Sequence, residues 1–578
     1  MLDLLIRGAR VIDGSGAAAI TADVGISGGK IAAVGRLNRA ARRTIDADGL
    51  LLTPGFVDIH THYDGQATWD PLLTPSCWHG VTTAVFGNCG VGFAPARVDQ
   101  REFLIELMEG VEDIPGTALA EGVDWQWETF PQYLDALAAK PRVMDIGAQL
   151  PHGALRFYVM GERGARREAA SPEDIARMRQ LSEEAMRAGA IGFSTSRTNL
   201  HRTVRGDNVP CYGVAMDESV AIAAGVVQAG RGVLQLLSDF DDVDAEFDLL
   251  RRMVQASGRP LSFTLVQRIE FPDQWRRLLA LVEQANRDGL AIRGQVAPRA
   301  VGILLGLQAT VHPFMTRPSY LEIAELPLAE RVRRMREPAV KARILAERSD
   351  ALPGRIPPVI DAVMARLDRL FALGDPPDYE PPVEASIAYR ARALGRDPLE
   401  FTYDLMLERD GKELLYAPAA NYLDCDYDAV LAMLRHPHTV IGLGDGGAHC
   451  GSICDGSYPS YLLAHWGRDR NRGERLPLEF AVHRQTRATA ETVGLLDRGL
   501  IAAGMRADIN LIDFDRLAIS PPEIVHDLPA GGRRLIQQAR GYVATVVAGE
   551  VVFERGEHTG ALPGQLLRGG QADPRSQT

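Results

Sequence analysis

Eight short apolar segments recur between residues 55 and 443, with helix-patterned sequence between several of them. This alternation constrains the fold more than any other feature of the chain. The segments are 55–59, 81–86, 143–149, 190–194, 233–237, 261–266, 291–296 and 439–443. Amphipathic stretches lie at 171–188, 244–257, 272–288 and 426–435. The first of these opens Ser171-Pro172-Glu173-Asp174, a capping residue followed by proline in the first turn. Strands that alternate with crossover helices pair in parallel, and eight of them close into a barrel more readily than they extend an open sheet. The expected fold is α/β, a (β/α)8 TIM-like barrel.

The two chain ends have a different texture. Residues 2–6, 10–12, 22–26 and 30–34 are apolar and partly alternating, with glycine turns between them, and 507–514 and 542–553 match them. Ala548-Gly549-Glu550 reads as a hairpin turn. Both ends together imply a small β-sandwich domain; two unrelated edge hairpins are the plainer alternative. The division is then 1–54 for its N-terminal part, 55–500 for the barrel, and 501–578 for its C-terminal part and a tail. Connections at about 90–140 and 305–425 are too long for plain loops, and such excursions form lids or rims over a site. The second holds a charged helix at 331–347 and a proline-rich stretch at 353–382. It is expected to shape substrate choice rather than the chemistry.

Composition removes several classes of function. With 46% hydrophobic and 24% charged residues over 578 positions, the chain is an ordinary globular protein. A net charge of -12 offers no footprint for nucleic acid or an anionic membrane. No apolar run approaches the length of about 18 residues that a membrane span needs. Six scattered cysteines form neither a disulfide framework nor paired C-x-x-C motifs. No basic-then-apolar leader opens the sequence, so a reducing cytoplasm is the expected location.

Catalytic groups of such barrels sit at the C-terminal ends of the strands. His60-Thr61-His62 follows the first strand, and residues i and i+2 share a face, so both imidazoles can reach one metal ion. Cys89 follows the second strand within Gly87-Asn88-Cys89-Gly90, and Asp445 follows the eighth within Gly444-Asp445-Gly446-Gly447-Ala448-His449. Taken singly, Cys89 also reads as an inert buried thiol and Asp445 as a turn residue. His152 and Arg156 follow the third strand, and Arg197 and His201 the fourth.

The run Pro54-Gly55-Phe56-Val57-Asp58-Ile59-His60-Thr61-His62, the terminal β domain and the last-strand aspartate resemble the amidohydrolase superfamily. Gly87-Asn88-Cys89-Gly90-Val91-Gly92, His62-Tyr63-Asp64, His152-Gly153-Ala154-Leu155-Arg156 and Gly189-Ala190-Ile191-Gly192-Phe193-Ser194 are similar more narrowly to its D-aminoacylase branch, which hydrolyses N-acyl-D-amino acids. The resemblance spans about residues 1–300 and 430–560. It implies one or two zinc ions held by His60, His62, Cys89 and Asp445, with Cys89 standing where related enzymes use a carbamylated lysine. None of the four lysines falls at a strand end, which removes the lysine independently. The histidines expected after strands five and six are missing; Gln235, Asp239 and Gln267 are the polar groups there.

The expected function is metal-dependent hydrolysis of a C–N amide bond in an N-acyl amino acid, with Asp445 as ligand and proton shuttle. His152, Arg156, Arg197, His201, Gln267 and His449 are the candidate substrate-binding residues. Arg156 or Arg197 would hold a substrate carboxylate in a bidentate pair, or serve as an internal salt-bridge partner. The expected partner is a small-molecule amide carrying a carboxylate; self-association is left open. Alternatives are a cyclic amide or imide hydrolase and a catalytically silent scaffold on the same fold.

Overall fold

The computed structural model describes residues 1–229, 231–348 and 358–577. Eight parallel strands form one sheet: β1 (Phe56–Asp58), β2 (Val81–Phe86), β3 (Asp145–Pro151), β4 (Gly192–Arg197), β5 (Val233–Ser238), β6 (Leu261–Thr264), β7 (Ile292–Val296) and β8 (Thr439–Ile441), paired in that order. All eight expected strands are present. Their side chains are almost wholly buried on both faces, which is why they read as apolar runs rather than alternations. The sheet curls until its edges meet just beyond β1 and β8. There Thr61 and Gly446 pair in parallel, Asp445 N–H donates to the His60 carbonyl at 2.9 Å, and His62 N–H donates to the Gly446 carbonyl at 2.8 Å. The seam that closes the barrel thus brings the two histidines beside Asp445.

Helix Pro172–Ala188 starts as its sequence implies. Ser171 accepts from Asp174 N–H while the Asp174 carboxylate accepts from Ser171 N–H. A cap of this kind is worth about 0.5–2 kcal/mol. The charged stretch 331–347 is not one helix but two, Leu328–Met335 and Pro338–Ala346. Pro338 has no N–H to donate and forces Glu337 into an extended conformation, so it can only begin a new helix.

Both chain ends build one nine-stranded sheet. Leu51–Pro54 pairs antiparallel with Ile509–Ile512, which joins the two halves. It is a continuous sheet rather than two separate ones, because Leu2–Val11 is long enough to pair with Ala41–Asp46 along its first part and Leu51–Pro54 along its last, with a bulge between Ile6 and Ala9. Leu4, Ile6, Val24, Leu52, Ile509, Leu511 and Val546 form its own core. The C-terminal part also leaves this sheet. Hairpin Glu523–Leu528/Gly532–Ile536 reaches the far end of the barrel, where Arg534 donates to Thr74 and Leu535 N–H to the Cys450 carbonyl.

The long insertion begins at 301, slightly earlier than expected. Val301–Leu305, Phe371–Ala372 and Leu415–Ala420 form a small antiparallel sheet, with a core that includes Phe314, Met335, Ile344 and Tyr403. Residues 353–357 of the proline-rich stretch lie outside the described residues. The insertion sits on the end of the barrel where the strands finish. Asn421 pairs with the Gln267 backbone, and Thr310 and Gly451 both bond the Asp113 carboxylate.

Candidate metal centre

His60, His62 and Cys89 are the one group of three or more His, Cys, Asp or Glu among the described residues whose ligand atoms lie within 4.8 Å of one another. Cys89 Sγ is 3.2 Å from His60 Nε2, and Asp445 Oδ1 lies 3.5 Å from His60 Nε2 and 3.7 Å from His62 Nε2. The other ring nitrogens point outward to fixed acceptors. His60 Nδ1 is 2.6 Å from Gln295 Oε1, and His62 Nδ1 is 3.1 Å from Glu112 Oε1. Gln295 Nε2 donates to Ser262 Oγ at 2.8 Å, which fixes its oxygen toward His60. With Nδ1 protonated on both rings, both Nε2 lone pairs face Cys89 and Asp445. Such outer partners set the tautomer of ligating histidines.

The loops that carry these groups are strained. Cys89, Asp445 and His449 all hold left-handed backbone, with φ of 55°, 47° and 50°. A non-glycine residue pays for that conformation, and such outliers cluster at functional sites. Gly87 makes the turn before Cys89 feasible: a Cβ there would stand 2.3 Å from the Gln149 carbonyl oxygen.

The electrostatics are those of a site short of positive charge. Glu112, Asp58 and Asp64 are buried carboxylates and Asp445 is a half-buried one, and none forms an ion pair with Arg or Lys among the described residues. Burial pushes Glu112 well up, helped by the Asp445 and Asp64 charges, and pushes Asp58 and Asp64 to about 7. Burial also pushes the Cys89 thiol well up, and holds His62 down at about 4. Asp445 is the exception: burial opposes its ionisation, but the imidazoles of His62, His60 and His449 around it outweigh burial and keep the carboxyl below its usual range. Both Glu112 oxygens and His62 Nδ1 also lack a well-aligned hydrogen bond. A divalent cation relieves these costs together, because it favours thiolate, carboxylate and neutral imidazole at once. Two imidazoles, a thiolate and a carboxylate form a borderline-soft donor set that suits zinc rather than magnesium or calcium. The residues present therefore fit a zinc ion.

The remaining candidates divide. His201, its Nδ1 3.2 Å from Ser196 Oγ, lies close enough to His449, His62 and Asp445 for their charges to act on it, and burial holds it neutral with a pKa of about 3. His449 Nε2 is 3.7 Å from Glu112 Oε2. The two arginines are already engaged. Arg156 is buried, with Nε donating to Glu218 at 2.8 Å and its remaining nitrogens to the Gly164 and Glu168 carbonyls. Arg197 forms a bidentate pair with Glu246. Neither guanidinium has a free edge for a substrate carboxylate, so both take the salt-bridge role. His152 belongs to the same buried network, with Nδ1 on Thr195 and Nε2 on Glu218. Gln267 anchors the insertion, its Oε1 accepting from Leu423 N–H and its backbone paired with Asn421. Sequence reasoning missed Gln295 and Glu112. Gln295 carried a weak signal, one of two polar residues, with Arg293, in a short and otherwise apolar strand. Glu112 carried none, since it ends an acidic helix, α1 (Arg101–Glu112), whose other glutamates face outward or lie half-buried.

A family model described as the amidohydrolase family matches residues 43–553. The chain is 29% identical to D-aminoacylase of Alcaligenes xylosoxydans xylosoxydans over 577 residues, covering 98% of this chain and 97% of that protein. It superposes on a solved D-aminoacylase described for its binuclear metal center with a TM-score of 0.65 at 23% identity, covering 98% of this chain and 100% of the other. N-acyl-D-glutamate deacylase from Bordetella bronchiseptica, solved with zinc and a phosphonate inhibitor, gives 0.64 at 22% identity, covering 98% and 99%.

Proposed function

Because the chain belongs to the amidohydrolase family, we propose that it is a metal-dependent hydrolase that removes the acyl group from N-acyl amino acids. The observation that carries this reading is the convergence of His60 Nε2, His62 Nε2, Cys89 Sγ and Asp445 Oδ1 at the closing seam of the barrel. Three relatives similar over most of their length, a D-aminoacylase, an N-acyl-D-aspartate deacylase and an N-acyl-D-glutamate deacylase, support the D series here as well.

Zinc held by these residues supplies Lewis acidity, which polarises a carbonyl and acidifies a water. The chain's own part is orientation and proton transfer. Gln295 keeps the His60 imidazole in the tautomer that leaves Nε2 free, and the Glu112 carboxylate stands behind His62 Nδ1. Asp445 stays ionised beside them, and one of its oxygens takes the proton of the attacking water and delivers it to the leaving amide nitrogen. The bond that breaks is the amide C–N; the products are a carboxylate and a free amine. His201 and His449 offer N–H groups to polar atoms of the substrate at the mouth. The insertion beginning at 301 forms part of the rim and selects the acyl or side chain. A panel of N-acyl D- and L-amino acids with hydantoin as the cyclic control tests the reading, each with and without added zinc. Turnover of acyl-D-amino acids is expected; turnover of hydantoin alone would replace this reading with a cyclic amidase.

A further inference from the structure

Strands β4 to β7 contribute only uncharged supports to the layer beneath the centre. In register across the sheet stand Ser194, Gln235 and Ser262, with Gln295 on the next strand. Ser194 Oγ accepts from Gly90 N–H at 3.0 Å, Gln235 Oε1 accepts from Cys89 N–H at 2.8 Å, and Ser262 holds Gln295, which holds His60. Every one of these groups steadies a neighbour of the centre, and none is an imidazole, thiol or carboxylate. Among the described residues no second group of metal-ligating side chains forms.

Gln235 has a further peculiarity. A backbone N–H can only donate, so the bond from Cys89 fixes which end of the Gln235 amide is oxygen. The NH2 end is buried and has no hydrogen-bond partner. Leaving an amide donor unpaired inside a protein costs about 1–3 kcal/mol. The cost is recovered where an anion stands nearby.

We propose that the centre takes a single transition-metal ion, held by His60, His62, Cys89 and Asp445, and that Gln235 is a positioning residue that holds Cys89 through its backbone N–H and offers its unpaired amide N–H to the bound thiolate. This rests on the metal-dependent reading above. It makes a specific departure from the binuclear centre described for a D-aminoacylase: β5 and β6 supply amide and hydroxyl groups in place of imidazoles.

The test is metal stoichiometry and spectroscopy on the full chain. Purified protein, stripped and titrated with Co(II), should saturate at one ion per chain by native mass spectrometry and elemental analysis. It should show a thiolate-to-cobalt absorption that Cys89→Ser abolishes. Gln235→Leu should weaken Co(II) binding by about 10–100-fold and shift that absorption, while the melting temperature of the stripped protein stays near the parent's. If Gln235→Leu does not fold, Gln235→Met gives the same readout, since it keeps the length of the side chain and loses the amide without adding a charge or a carboxylate ligand. Two ions per chain with similar affinity would overturn the proposal and leave the metal-dependent hydrolase standing. An unchanged cobalt affinity and spectrum in the Gln235 variants would overturn the clamp. An active protein that binds no ion would overturn both.

Discussion

Asp145, fully buried, and Asp445, half-buried, are carboxylates at opposite ends of one barrel. Asp145, at the start of β3, accepts from Arg498 Nη1 at 2.7 Å, Arg506 Nη2 at 2.8 Å and Gln565 N–H at 2.8 Å. Asp445, just past β8, faces the imidazoles of His60 and His62 and has no guanidinium or ammonium partner among the described residues. At the first end each acid has a guanidinium beside it, and Asp508 completes the cluster with Arg506. At the second end Glu112, Asp58 and Asp64 add negative charge and no Arg or Lys pairs with them. The difference separates a buried network that holds the barrel to the terminal sheet from a site built to receive a cation. Burial does not distinguish the two ends, since Glu112 and Asp64 are as deeply buried as Asp145; the charge balance does.

The largest effect should come from Asp445→Asn. General acid–base groups contribute typically about 10²–10⁴-fold in rate, so kcat should fall in that range while the melting temperature barely moves. A turn aspartate would give the reverse pattern. At the other end, Arg498→Met leaves Asp145 and Asp508 buried with one guanidinium between them. Breaking a buried pair costs about 3–5 kcal/mol, measured by chemical denaturation, and kcat per folded molecule should stay within about twofold, roughly 0.4 kcal/mol of barrier.

Glu112→Gln probes the carboxylate behind His62. Loss of such an outer partner typically costs about 10–100-fold in metal affinity, read by competition with a chelator. No change in affinity would make Glu112 a bystander. The smallest effect concerns histidines with no part in the chemistry. His79 is buried between Ser460 Oγ and the Gln537 carbonyl, and burial holds its pKa at about 4. Its folded value lies below the unfolded value of about 6.5, so the unfolded state binds the extra proton. Its share of stability is complete above about pH 6.5 and falls as pH drops toward 4, by at most about 1.4 kcal/mol per unit. His79→Gln should flatten the stability profile between pH 4 and 6.5 and leave the activity profile at neutral pH unchanged.

The barrel was legible because most of its strands are buried on both faces, so segments such as β2 and β5 appear as mostly apolar runs rather than alternations. His60, His62, Cys89 and Asp445 were legible because their positions follow from strand ends, a local property. Glu112 was not: it reaches His62 only because α1 folds back across the mouth, and Asp113, in left-handed backbone, ends the helix there and pins it to Thr310, Gly451 and Ser452. Arg156 and Arg197 failed as substrate clamps for the same reason in reverse. Their partners Glu218 and Glu246 lie 62 and 49 residues away in sequence, on the helices that cover the barrel. A strand-end position reveals where a side chain starts, and only the fold reveals what has already paired with it.

The central claim is that the end of the barrel carrying Asp445 lacks a positive charge which a metal ion supplies. Turnover of an N-acyl-D-amino acid and the melting temperature, followed together on chelator-stripped protein as zinc is added back, test it most directly. The account predicts an inactive, less stable stripped protein, with both quantities restored in parallel and levelling off at one equivalent. Full turnover by protein shown to be metal-free, with a melting temperature that zinc does not change, would contradict it.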